Sequence, residues 1–124
     1  MTVYVHLFVM LWALVGAHVT FRDVSTSFVY HDLYGVARSG ESGATCTEDG
    51  ALIYLAPGTN YAILDHELVH AVDCLDGTLD GDYGPQAGGW FPWYAVTYCR
   101  TSRTEYPACV AQFDPQAMID WMTR

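Results

Sequence analysis

Hydrophobic and polar positions divide the chain into short patterned blocks separated by glycine-rich stretches. The first block, "LFVMLWALVGA" (Leu7 to Ala17), is apolar throughout. It is too short to span a bilayer, which takes about 20 residues. Two readings stand. It is a signal-peptide core closed by the cleavable triplet Val15-Gly16-Ala17, or a buried helix preceded by a strand at Val3–His6. The balance leans to the structural reading, because "MTVYVH" lacks the positive charge of a signal peptide. "HVTFRDV" then alternates as a strand. "SFVYHDLYGVAR" has the β-branched and aromatic residues of one or two more. "SGESGATCTEDG" (Ser39 to Gly50) reads as a polar loop, and "ALIYLA" (Ala51 to Ala56) as an apolar strand stopped by Pro57-Gly58.

The next pattern has helical period. Asn60 can cap a helix that starts at Tyr61 and stops near Gly77. Leu64, Leu68, Ala71, Val72 and Leu75 form one apolar stripe on it. His66 and His70, four residues apart, stack on a face nearly opposite that stripe, with Asp73 on the same side. "GTLDGDYGPQAGG" follows as an irregular loop. "WFPWYAVTYC" is aromatic enough to be expected in the core, and Pro92 excludes a central strand there. "EYPACVAQF" and "DPQAMIDWM" read as two short helices, the second started by Asp114-Pro115.

The histidine pair carries the chemistry. His66-Glu67-Leu68-Val69-His70 is H-E-x-x-H, and two imidazoles one turn apart can hold one Zn²⁺. Glu67, beside the first histidine, is placed to act as general base on a metal-bound water. The bland alternative is an amphipathic helix with two surface histidines. The helical setting and the clean apolar stripe favour zinc. A catalytic zinc site needs a third protein ligand and an open position. Glycine at 77, 81 and 84 would let the chain turn back and bring Asp80 to the metal. Glu105 is the rival, because Ala108 and Ala111 on the following turns would let its helix come close.

Composition narrows the function classes. The 124 residues fit one domain. Net charge is −9, with five arginines and no lysine, so no basic face for nucleic acid is available. Cys46, Cys74, Cys99 and Cys109 contain no C-x-x-C pair. They permit two disulfides in any of three connectivities, or four buried thiols. The compartment is therefore open, with the cytoplasm slightly favoured over secretion.

At "HELVH" followed by "GTLDGDYG" the chain resembles the aspzincin, deuterolysin-like metalloendopeptidases, whose second motif is G-T-x-D-x-x-Y-G. Gly77, Thr78, Asp80, Tyr83 and Gly84 match its fixed positions. The resemblance covers about twenty residues. It implies His66, His70 and Asp80 as zinc ligands, Glu67 as general base and Tyr83 as a hydroxyl donor to the oxyanion. The expected architecture is α+β and zincin-like: a small twisted sheet, a backing helix, an H-E-x-x-H helix below the edge strand, and C-terminal helices, all in one domain over 1–124. The expected function is a zinc metalloendopeptidase acting on peptide or protein substrates, with no membrane span and a monomer as default. The alternatives are a catalytically inactive zinc-binding or partner-binding module, and a disulfide-stapled domain whose helix is purely structural.

Overall fold

The computed structural model describes residues 2–77 and 90–124. Their architecture is α+β, with five helices and two small sheets among the described residues. Helix α1 runs from Val3 to Val15. The Thr2 hydroxyl accepts from the Val5 amide at 3.4 Å, and the Gly16 amide closes the helix on the Trp12 carbonyl. The strand expected at Val3–His6 is thus the first turn of α1. A local β preference yields when a capping residue stands directly before it and an apolar run continues beyond. Leu7, Leu11 and Val15, spaced by four, form the buried seam of this helix, while Val9 and Leu14 face solvent.

A 3₁₀ turn, Gly16–His18, leads into β1, Val19–Asp23. Strand β1 pairs in parallel with β5, Gly50–Leu55, over Val19↔Ala51 to Asp23↔Leu55. On its other side β5 pairs antiparallel with β4, Gly43–Thr47. The order β1-β5-β4 leaves β4 at an edge. This strand lies inside the stretch expected to be a loop from its Gly and Ser content. Its alternating Thr45 and Thr47 suit a pleat, and the partner β5 supplies the hydrogen bonds that composition alone does not show. Gly50 is required at the hairpin corner, because a Cβ there would collide with the His18 carbonyl oxygen. Strands β2, Tyr30–His31, and β3, Ala37–Arg38, form a separate antiparallel hairpin.

Helix α2, Tyr61–Asp76, follows β5. Both of its ends are as expected. Asn60 Oδ1 accepts from the Ile63 amide at 3.1 Å, and Gly77 adopts φ 68°, the left-handed stop. Helices α3 (Val96–Thr101), α4 (Glu105–Phe113) and α5 (Pro115–Met122) complete the described chain. Helix α2 packs against α1 on one flank, α4 on another, and the sheet strands β4 and β5. Every residue from Asp65 to Val72 is consequently buried, so the histidine face is enclosed and not the open surface that a single stripe implied.

The aromatic block also departs from expectation. Phe91 is buried, but Trp90, Trp93 and Tyr94 are 63%, 88% and 67% exposed. Pro92 opens the tight turn before α3, its carbonyl accepting from the Ala95 amide at 2.9 Å. Two disulfides resolve the connectivity: Cys46–Cys74 ties β4 to the last turn of α2, and Cys99–Cys109 ties α3 to α4. No helix among the described residues is long and apolar enough to cross a membrane.

Candidate metal centre

The site is built where α2 meets the first turn of α4. The four-residue spacing of His66 and His70 puts their rings on one flank of α2, with centroids 4.9 Å apart. Their Nε2 atoms lie 3.2 Å from each other. Glu105 opens α4, its amide donating to the Ser102 hydroxyl at 3.3 Å. Ala108, Cys109, Val110 and Ala111 are wholly buried against the rest of the core. Small side chains at these positions let α4 approach α2 until the Glu105 carboxylate reaches both imidazoles. Glu105 Oε2 stands 3.1 Å from His66 Nε2, and Oε1 stands 3.2 Å from His70 Nε2.

The two Nε2 atoms and the Glu105 carboxylate are thus gathered at one point, each imidazole facing its own carboxylate oxygen. Four ligands placed tetrahedrally about 2.0–2.1 Å from zinc would lie about 3.3 Å from one another. The Nε2–Nε2 separation of 3.2 Å is close to that edge, and the Glu105 carboxylate stands beside both nitrogens, one oxygen to each. The chemistry of the set, two imidazole nitrogens and one carboxylate, is also that of catalytic zinc sites. Both Nδ1 atoms are sealed from solvent, whereas both Nε2 atoms face the Glu105 carboxylate. The Cys109 sulfur is within 4.8 Å of the His66 and Glu105 donors. It is bonded to Cys99 and is not an available ligand.

The electrostatics follow from crowding these groups out of water. Burial works to raise the Glu105 pKa, but the hydrogen bonds and positive field of His66 and His70 overcome it and hold the carboxyl far below its usual range. Burial works to lower that of His66, and the contact with Glu105 more than offsets it, so the imidazole is raised. Without a cation the cluster is therefore held together as an imidazolium–carboxylate pair, and a divalent ion would take the place of the imidazole proton against the ionised Glu105 carboxylate. Glu67, 7% exposed, has its pKa raised, chiefly by burial, and the two histidines oppose the shift. A carboxylate raised in this way is a better proton acceptor.

All four residues line one cleft of about 540 Å³, which also exposes Tyr30, Tyr34, Arg38, Glu41 and Tyr98. Comparison with known proteins finds no matching family model, no matching curated relative and no matching solved structure.

The described residues bring His66, Glu67, His70 and Glu105 together. The ligand expected at Asp80 and the hydroxyl donor expected at Tyr83 lie outside the described residues. Asp73, at the far end of α2, keeps both carboxylate oxygens sealed from solvent. Two groups had no counterpart in the sequence reading. The Tyr34 hydroxyl donates to Glu105 Oε1 at 3.0 Å. The Tyr98 hydroxyl, from α3, also interacts with Glu105. Burial and the adjacent Glu105 charge push the Tyr34 pKa up to about 12, so its proton stays in place to be donated. The turn "DLYG" is legible as a turn. Nothing local says that it ends opposite a glutamate 71 positions away.

Proposed function

We propose that this chain is a zinc-dependent metalloendopeptidase on a small zincin-like domain, with His66, His70 and Glu105 as the metal ligands and Glu67 as general base. The observation that carries the proposal is the buried cluster in which the His66 and His70 Nε2 atoms lie 3.2 Å apart and each faces one oxygen of the Glu105 carboxylate at 3.1–3.2 Å, with a buried glutamate beside it in a cleft. Zn²⁺, when bound, would supply the acidified water and the polarised carbonyl that peptide hydrolysis needs.

The residues of the chain then divide the remaining work. Glu67 accepts a proton from the attacking water at its carboxylate and hands it to the leaving amine nitrogen. Burial keeps that carboxylate basic. The edge strand β4 borders the cleft at Gly43 and Ala44. As an edge strand among the described residues it suits an extended peptide added as a further strand, which supports a peptide rather than a small-molecule substrate. Two disulfides support an oxidising compartment over the cytoplasm.

The test is Glu67→Gln in the zinc-loaded protein, assayed on a mixed peptide library. Stoichiometric zinc with turnover reduced by about 10²-fold or more supports the proposal. Zinc binding by the unaltered protein with no cleavage of any peptide would leave a metal-binding module instead.

A further inference from the structure

The hairpin β2–β3 is anchored by buried Tyr30, stacked on Tyr54, and its turn reaches the His66–His70–Glu105 cluster. Its turn is organised by one carboxylate. Asp32 Oδ1 accepts from the Tyr34 amide at 2.9 Å and from the Val36 amide at 3.0 Å, while Asp32 Oδ2 accepts from Arg38 Nε at 2.9 Å. Gly35, at φ 76°, makes the reversal that few other residues tolerate. The result is a closed loop in which Asp32 fixes the backbone of Tyr34 from both sides. Tyr34 itself is 49% exposed, so burial of its ring does not account for its placement. Its hydroxyl nevertheless lands 3.0 Å from Glu105 Oε1, the same oxygen that faces His70.

We infer that Tyr34 is a positioning residue for the metal centre: the Asp32-locked hairpin delivers its hydroxyl to Glu105 and holds that carboxylate in ligating orientation. The inference rests on the proposed metal site but not on its being catalytic. Glu105 is buried at the start of α4, with its carboxylate against two imidazoles. Both of its oxygens already face imidazoles, and each ring could be satisfied by several carboxylate orientations. Tyr98 of α3 also interacts with Glu105, and the Tyr34 contact, at a point fixed by the Asp32 turn, selects one of those orientations. Removing outer contacts of this kind weakens metal affinity in other sites by about 10–100-fold.

The experiment measures Zn²⁺ affinity by chelator competition for the full chain, Tyr34→Phe, Asp32→Ala and the double variant. Unfolding of each metal-free protein is followed in parallel. The expected result is a loss of about 10-fold or more for Tyr34→Phe with metal-free stability unchanged. The Co²⁺-loaded variant should also show a shifted visible absorption band, because the orientation of a ligand changes. Asp32→Ala should lower affinity in the same direction, and the double variant should be no worse than the weaker single variant, since Asp32 acts through the placement of Tyr34. Wild-type zinc affinity in Tyr34→Phe would overturn the inference, as would additive losses in the double variant. Failure of the unaltered protein to bind Zn²⁺ would instead remove the metal site on which the inference is built.

Discussion

Asp65 sits one residue before the first histidine and is fully buried on α2. Neither carboxylate oxygen has a hydrogen-bond partner among the described residues. Burial alone pushes its pKa from 3.8 up to about 8. The unfolded chain therefore releases this proton near pH 4, and the folded chain keeps it until about pH 8. Between those values the folded state binds more protons, so stability falls as pH rises, by about 1.4 kcal/mol per unit. The stability is intact below the unfolded pKa and lost on the way up through the folded one. At pH 7 the accumulated cost is about 4 kcal/mol, a large fraction of the 5–15 kcal/mol typical of a domain. Asp65→Asn removes the ionisation and keeps the shape. Its buried amide carries a desolvation cost of about 1–3 kcal/mol, but that cost does not vary with pH. The assay is urea unfolding of both proteins in chelator, disulfides intact, from pH 5 to pH 8. The variant should gain on the parent by about 1.4 kcal/mol for each pH unit. All other titrations cancel in the difference. A difference that stays flat across this range would refute the reasoning.

Three further outcomes are expected. Replacing Cys46 and Cys74 by alanine opens a loop of 28 positions and should cost about 3.5 kcal/mol; the 10-position Cys99–Cys109 bridge should cost about 2.7 kcal/mol, both measured by urea unfolding. The second pair of replacements should also weaken zinc affinity, since Cys109 lies one turn after Glu105 on α4, whereas the first should affect stability more than metal. Leu11→Ala, at a fully buried position on α1, should destabilise by about 2–5 kcal/mol without changing zinc stoichiometry.

What the sequence disclosed and what it hid follow the range of the interactions involved. Helix α2 was legible because its determinants are local: the Asn60 cap, the Gly77 stop and a four-residue spacing. Glu105 was legible only as a candidate, through Ala108 and Ala111, because small residues signal close approach without naming the partner. Strand β4 was hidden because Gly43 and its serine-rich neighbours resemble a loop, and the β5 ladder that orders it is a pairing property. The first turn of α1 was hidden for a related reason. Val3-Tyr4-Val5 favours a strand in isolation, and the Thr2 cap with Leu7 and Leu11 packing decides otherwise. Tyr34 was beyond reach altogether, since its role is a contact across 71 positions.

The central proposal is that Glu105 completes the metal centre with His66 and His70. Zinc content and affinity of the parent, Glu105→Ala and Asp80→Ala, measured side by side after identical loading, test it most directly. The account predicts one zinc per chain in the parent and in Asp80→Ala, and loss of tight binding in Glu105→Ala. Full zinc affinity in Glu105→Ala together with its loss in Asp80→Ala would contradict it.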